Sequence, residues 1–179
     1  MIGSIPNILT SLRIVLAFFL VFFYDRPSVL LPLFLLGGIT DFLDGTVARR
    51  FHCQSVSGSW LDPLADKILI HTALAILVSY HNLPLSFFLA NLSRDTLICG
   101  GACTLYFFGK KTLQPSWMGK GNTVLQIFLC ALGFLILIHP FKLCVTFFSY
   151  LLTALWVTTL WSGTAYMMQG ISALNRGAS

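Results

Sequence analysis

The sequence contains no glutamate and only six aspartates among its 179 residues, so acidic side chains are scarce. Charged residues of both signs amount to 9% of the chain, whereas a soluble domain carries roughly 25%. Hydrophobic residues make up 56%, which is more apolar surface than a water-soluble domain of this length can bury. The scarcity of charge therefore excludes an ordinary soluble domain and indicates a chain whose main solvent is lipid.

Six apolar stretches approach the length that crosses a bilayer, which is about 20 residues. Short polar or proline-containing segments separate them, and strand-like alternation is lacking. In lipid, a helix satisfies its backbone hydrogen bonds within its own segment. We therefore predict one all-α domain over residues 1–179, a bundle of six transmembrane helices. The predicted spans are Ile8–Tyr24, Ser28–Leu43, Asp62–Tyr80, Leu85–Phe108, Thr123–His139 and Phe141–Met168.

Basic residues lie mainly in the loops on one side of this six-span arrangement. Arg49, Arg50 and the loop Lys110–Lys120 fall on the same side as the amino terminus, whereas Arg26 and Lys142 fall opposite. Because cytoplasmic loops carry the excess of lysine and arginine, we predict that both termini and the two long loops face the cytoplasm. The formal net charge of +5 is then explained by the orientation of the chain in the membrane. The basic residues are few and are divided between loops, so they do not indicate a nucleic-acid partner.

Four of the six aspartates lie close together in the sequence. Asp41 and Asp44 stand near the end of the second predicted span, and Asp62 and Asp66 stand at the start of the third. Each pair has the three- or four-residue spacing that shares one helix face, and the intervening loop can bring the two faces together. Acids in membrane segments are costly and generally mark a wet, functional cavity. The four aspartates are therefore candidate site residues.

Four facing carboxylates repel one another unless cations lie between them or some are protonated. Carboxylate oxygens suit Mg²⁺ or Mn²⁺ better than zinc. We therefore predict a site for two such ions, formed by Asp41, Asp44, Asp62 and Asp66. The alternative is that these residues cap helix ends or are solvated at the membrane surface, but their confinement to one hairpin favours the metal site.

The same hairpin resembles a known signature. Residues 41–49 read DFLDGTVAR and residues 58–66 read GSWLDPLAD, with eight residues between them. This is similar to the CDP-alcohol phosphatidyltransferase signature D-x-x-D-G-x-x-A-R-x8-G-x-x-x-D-x-x-x-D at every specified position. Other residues resemble the branch of that family that makes glycerol lipids, so the likeness extends over roughly residues 5–126. They are Ile5, Pro6, Asn7, Leu9, Thr10, Arg13, Ser93, Arg94, Asp95, Gly119, Lys120, Asn122, Thr123 and Gln126.

The resemblance implies a six-helix bundle with a polar cavity open to the cytoplasmic side. It implies a reaction in which an acceptor hydroxyl displaces CMP from CDP-diacylglycerol, assisted by the metal ions. Asp62 and Asp66 are then catalytic, with Asp66 also contacting metal and acting as the general base. The residues implied in CDP binding are Asp44, Gly45, Ala48, Arg49 and Gly58.

The acceptor-binding residues are expected among the basic side chains in or near the spans. We predict Arg13, Arg94 and Lys120, with the alternative that Arg94 only pairs with Asp95 or a backbone carbonyl. The run Trp117–Lys120 resembles bacterial phosphatidylglycerophosphate synthases, which favours glycerol 3-phosphate as acceptor. Because Ser93–Asp95 and Asn122 look more like cardiolipin synthases, phosphatidylglycerol is the alternative acceptor.

A remote alternative is an ion-coupled membrane transporter, since acids in spans also mark ion pathways. Such a protein is expected to distribute its acids across the bilayer and to show repeated halves, and neither pattern is found in the sequence. We expect a multi-pass protein of the cell membrane with its active site facing the cytoplasm. The expected partners are CDP-diacylglycerol, a glycerol-based acceptor, the lipid bilayer and, by resemblance, a second copy of the chain.

Overall fold

The computed structural model describes the backbone of residues 5–51, 58–107 and 117–175, and the side chains of residues 11–40, 64–101, 119 and 121–169. These residues form six helices and contain no strand, which confirms the predicted all-α architecture. The helices overlap the six predicted spans one for one. They are α1 (Ile5–Phe22), α2 (Pro27–Phe51), α3 (Gly58–Ser79), α4 (Leu85–Phe107), α5 (Trp117–Ile138) and α6 (Lys142–Asn175).

The turn between α3 and α4 shows how the sequence ends a helix. The amide N–H of Asn82 donates to the carbonyl of Leu77 at 3.1 Å, and that of His81 donates to the carbonyl of Val78 at 2.9 Å. His81 adopts the left-handed conformation, with φ of 58°, that such a helix end requires. Pro84 stands three residues after His81, immediately before α4 begins at Leu85, and α4 packs back against α3.

Two helices among the described residues are long and apolar enough to cross a bilayer, through the segments Gly121–Ile138 in α5 and Lys142–Gln169 in α6. Shorter apolar stretches occur in α1, over Ser11–Phe22, and in α2, over Pro27–Thr40. Large apolar side chains also cover the outer surface. These features indicate that the protein associates with a membrane. The exposed apolar residues include Phe18, Phe22, Phe128, Leu143, Tyr150, Trp161 and Met168.

Helix α3 lies at the centre of the bundle, where it contacts α1, α2, α4 and α5. Helix α5 also contacts α2 and α6, and α4 also contacts α6. A helix that is apolar on most of its faces lies in a protein core or in lipid, and α3 lies among four neighbouring helices. The central helix α3 carries Asp62 and Asp66, two of the predicted site residues. Its buried apolar residues are Ala65, Leu69, Ile70, Ala73, Leu74, Ile76 and Leu77.

Helix α2 approaches α3 closely because a glycine stands at the contact. A Cβ atom at Gly37 would lie 2.5 Å from Cδ2 of Leu69, whereas a Cβ at Gly38 would have no heavy atom within 4 Å. Glycine lets two helices in a membrane pack closely. A Cβ at Gly37 would therefore force the Leu69 side chain to shift, whereas Gly38 leaves open space beside it.

Candidate active site

Asp66 lies about two turns inside α3 and carries a carboxylate that is 34% exposed. Arg13 of α1 approaches it from within the bundle, with Nη1 2.5 Å from Oδ1 of Asp66, and the arginine itself is only 1% exposed. Hydrogen bonds between two charged groups are among the strongest in proteins. The pair therefore joins α1 to α3 while the carboxylate stays accessible on its other side.

A cavity of about 60 Å³ opens beside Asp66, between α2, α3 and α5. Apart from the Asp66 carboxylate and the Thr123 hydroxyl, its lining is apolar side chain or glycine. The hydroxyl of Thr123 donates to the carbonyl of Gly119 at 3.2 Å. Asp66 thus presents a proton-accepting group to a small, mostly apolar space. The lining residues are Phe34, Gly37, Gly38, Asp66, Leu69, Ile70, Thr123 and Ile127.

A second charged cluster lies between α3 and α4. Nζ of Lys67 is 2.5 Å from Oδ2 of Asp95, and Nε2 of His71 is 3.7 Å from the same oxygen. Nη1 of Arg94 is 3.3 Å from Oδ1 of Asp95, and both residues are about 95% buried, at 4% and 5% exposure. Among these described side chains, one carboxylate therefore faces two cations, and the cluster has a surplus of positive charge.

A buried network of hydrogen bonds links α4, α5 and α6. Oδ1 of Asn91 accepts hydrogen bonds from the side-chain amide of Gln126 and from the hydroxyl of Thr159. The hydroxyl of Thr158 donates to Oδ1 of Asn122 at 2.7 Å. Exposure of Asn91, Asn122 and Gln126 does not exceed 1%. Buried polar groups need such partners, so this network specifies how the three helices meet.

Sequence reasoning missed the role of Asn91 and treated Asn122 and Gln126 only as points of resemblance. The signal was present in the spacing. Asn122 and Gln126 are four residues apart in an apolar helix, and Asn91 precedes Asp95 by the same interval. Polar residues that repeat at helical spacing within an apolar span lie on one face of the helix. The sequence alone does not show which neighbouring helix that face contacts.

The structure describes three of the predicted site side chains: Arg13, Asp66 and Arg94. It brings Asp66 and Arg13 together, whereas Arg94 lies against Asp95, which is the pairing considered as an alternative for it. The other predicted residues lie outside the described side chains, so their roles stay predictions. They are Asp41, Asp44, Gly45, Ala48, Arg49, Gly58, Asp62 and Lys120.

The chemistry of the predicted ligands fits a hard divalent cation. The backbone places Asp41 and Asp44 in the second half of α2, and Asp62 and Asp66 in the first turns of α3. Carboxylates are the side-chain ligands that Mg²⁺ prefers. Among the described side chains no three His, Cys or Asp residues gather as a metal site, and three of the four predicted ligands lie outside that set. The metal site therefore stays a prediction.

The site residues all fall within a region shared with known proteins. Residues 3–162 match the sequence profile of the CDP-alcohol phosphatidyltransferases. The chain belongs to the CDP-alcohol phosphatidyltransferase family. The family predicted from the signature of the α2–α3 hairpin is thus confirmed, and the match extends through α4 and α5 into α6.

This CDP-alcohol phosphatidyltransferase is similar to curated proteins of two names. The CDP-diacylglycerol–glycerol-3-phosphate 3-phosphatidyltransferase of Blochmanniella floridana is 33% identical over 96% of this chain and 92% of its own length. The protein of that name from Salmonella typhimurium is 34% identical over 69% of this chain and 72% of its own length. A cardiolipin synthase (CMP-forming)/mitochondrial hydrolase fusion protein of Schizosaccharomyces pombe is 31% identical over 99% of this chain. The chain spans about a third, 33%, of that fusion protein.

Proposed function

We propose that this protein moves the phosphatidyl group of CDP-diacylglycerol to glycerol 3-phosphate and releases CMP. The observation that carries the proposal is the position of Asp66. This residue of the family signature is held by Arg13 and presents its carboxylate to the cavity between α2, α3 and α5. The bacterial relatives whose names state this activity correspond to most of this chain, which further supports it.

Asp66 is the general base in this proposal. It accepts the proton of the acceptor hydroxyl. The hydroxyl oxygen forms a bond to the phosphorus that carries diacylglycerol, and the bond between that phosphorus and CMP breaks. Mg²⁺ or Mn²⁺, bound by Asp41, Asp44, Asp62 and Asp66, would offset the negative charge of the pyrophosphate and of the departing CMP. Apart from Asp66 and Thr123, the side chains that line the cavity offer water no hydrogen-bonding group, which disfavours water as a competing acceptor.

CDP recognition is assigned to the signature residues of α2 and of the start of α3. Gly45, Ala48 and Gly58 are small, which lets the nucleotide approach the backbone closely. Asp44 belongs to the same set by the family signature. Arg49 supplies a permanent cation for the phosphates.

The charge of the cluster between α3 and α4 favours an anionic acceptor. Lys67 and Arg94 together face one carboxylate, that of Asp95, and a buried charge is stable only when it is compensated. The phosphate of glycerol 3-phosphate, at Lys67, which is 27% exposed, would balance the surplus, whereas a neutral or cationic alcohol would not. Lys120 at the start of α5 is assigned to the same acceptor.

Phosphatidylglycerol is a second candidate acceptor, because its phosphodiester is also an anion. It is supported by the similarity of nearly the whole chain to the S. pombe protein whose name includes cardiolipin synthase. Glycerol 3-phosphate remains the first candidate, because the bacterial relatives with that acceptor in their name match this chain over most of their own length.

We place all six helices across the cell membrane, with both termini and the α2–α3 hairpin on the cytoplasmic side. The exposed apolar side chains and the apolar segments of α1, α2, α5 and α6 support a bilayer as solvent. The distribution of lysine and arginine supports this orientation. A homodimer is part of the proposal by family resemblance.

The test is a direct assay of the purified chain in detergent. Labelled CDP-diacylglycerol and Mg²⁺ are supplied with glycerol 3-phosphate in one reaction and with phosphatidylglycerol in another, and lipid product and CMP are both measured. We expect lipid product with glycerol 3-phosphate and none with Asp66→Asn. Product with phosphatidylglycerol alone would replace the first acceptor by the second, and absence of both lipid product and CMP would refute phosphatidyl transfer.

A further inference from the structure

Arg13 occupies a position in α1 where helix packing ordinarily requires an apolar residue. The described residues of α1 that are buried are Arg13, Leu16, Ala17 and Leu20. Their spacing of three and four residues forms one stripe along the helix that faces the bundle. A guanidinium in such a stripe is costly unless its charge is compensated, so its position needs a reason beyond packing.

The partner of Arg13 provides that reason. Nη1 of Arg13 lies 2.5 Å from Oδ1 of Asp66, the carboxylate that lines the cavity. Arg13 is 1% exposed and Asp66 is 34% exposed. The arginine therefore has almost no surface that a substrate could contact, whereas the aspartate that it holds is accessible.

We propose that Arg13 is a positioning residue, which holds the Asp66 carboxylate at the wall of the cavity and does not bind the acceptor itself. This inference rests on the proposed function, in which Asp66 acts on the acceptor hydroxyl. The planar guanidinium presents its donors in a rigid fork, whereas a lysine offers one flexible ammonium. Arginine can thus orient the carboxylate as well as compensate its negative charge.

Two other roles for Arg13 lead to different measurements. If Arg13 only ties α1 to α3, its loss lowers the melting temperature but leaves the kcat of the folded protein unchanged. If Arg13 binds the acceptor phosphate, its loss raises the KM for the acceptor. A positioning role lowers kcat, because the base is misplaced when the substrate is bound.

The experiment compares Arg13→Met and Arg13→Lys with Leu20→Ala, a control that disturbs the same stripe without touching the charge. Melting temperature, kcat and the KM for both substrates are measured for each purified protein. We expect Arg13→Met to lose about 100-fold in kcat, the cost of a misplacement of roughly 1 Å, with little change in acceptor KM. Arg13→Lys is expected to recover part of the loss. Leu20→Ala is expected to melt at a lower temperature and to keep its kcat.

Each other outcome overturns the inference in a recognisable way. A large rise in acceptor KM at unchanged kcat would make Arg13 an acceptor contact, and an unchanged kcat in both Arg13 variants would leave it a structural tie. Should Arg13→Met not fold, Arg13→Lys decides, because a kcat equal to that of the wild type would show that the fork is not needed. A wild-type protein that makes no lipid product would refute the proposed function as well, whereas an active wild type with insensitive variants refutes only the inference on Arg13.

Discussion

Nζ of Lys67 lies 2.5 Å from Oδ2 of Asp95, so α3 is tied to α4 at the residue that follows the proposed base. Asp66 itself is tied to α1 through Arg13. Consecutive residues of a helix point in directions about 100° apart, so the two ion pairs hold α3 from different sides. The position of the base is thus determined by two neighbouring helices.

Removing the charge of Asp95 is expected to destabilise the protein strongly. In Asp95→Asn, Lys67 and Arg94 both lose their carboxylate, and Arg94 is only 4% exposed. Leaving a buried charge without its partner costs about 3–5 kcal/mol. The loss is measured by unfolding the purified protein in detergent with heat or with increasing denaturant.

The control for that prediction is Lys67→Met, which removes a cation that is 27% exposed. Asp95 then keeps Arg94 as its partner, so the loss of stability should be smaller than in Asp95→Asn. Equal losses in the two variants would mean that Arg94 does not compensate Asp95, contrary to the 3.3 Å separation of their charged atoms.

Two adjacent glycines of α2 provide a matched pair for testing the α2–α3 contact. Gly37→Ala would place a Cβ 2.5 Å from Cδ2 of Leu69, whereas Gly38→Ala would meet no heavy atom within 4 Å. Overpacking of this kind costs about 1–3 kcal/mol, and alanine in an open helical position stabilises by up to about 1 kcal/mol. We expect unfolding experiments to show a loss for Gly37→Ala and no loss for Gly38→Ala. A loss for Gly38→Ala with none for Gly37→Ala would mean that α2 and α3 do not meet at Gly37.

The buried network between α4, α5 and α6 should behave as one unit. Asn91→Leu removes the acceptor that the Gln126 amide and the Thr159 hydroxyl share. Thr159 keeps its hydrogen bond to Oδ1 of Asn122, so the Gln126 amide is the buried group that loses its acceptor, at a cost of about 1–3 kcal/mol. In the double variant Asn91→Leu/Gln126→Leu, the amide that lost its acceptor is also removed. The loss of stability in the double variant should therefore be smaller than the sum of the two single losses. Additive losses in the unfolding data would contradict the hydrogen bond.

Helix number and approximate helix limits could be predicted because they depend on local properties. Apolar runs of bilayer length and breaks at residues such as Pro84 determine them without reference to any partner. The pairs that build the site could not be predicted in this way. Arg13 and Asp66 are 53 residues apart, and no spacing rule states which helix faces which.

The predicted roles of the basic residues show the same limit. From its charge and from resemblance, Arg13 is predicted to bind the acceptor; the contact that the structure shows for it is with Asp66, where it is 1% exposed. Its spacing from Leu16, Ala17 and Leu20 indicates a buried position, but only the packing of α1 on α3 identifies the partner. Arg94 is predicted either to bind the acceptor or to pair with Asp95, and the structure shows the pairing with Asp95.

Filling the cavity beside Asp66 should impair the reaction without unfolding the protein. Gly38 lines this cavity, and a Cβ atom there would have open space. We therefore expect Gly38→Leu to fold normally, while its side chain occupies part of a volume of only about 60 Å³. Since the acceptor hydroxyl must reach Asp66 through that space in the proposed reaction, kcat/KM should fall by about 10-fold or more, a loss of roughly 1.4 kcal/mol of transition-state stabilisation.

The matched control is Gly38→Ala, which adds one carbon and leaves most of the cavity open. It should keep nearly all of the wild-type kcat/KM, measured by CMP release and lipid product together. If Gly38→Leu melts like the wild type and is equally active, substrate does not enter between α2, α3 and α5, and Asp66 must be reached from another side. If both variants lose activity to the same extent, the backbone of α2 at this position is what the reaction requires, because the single added carbon could not fill the space.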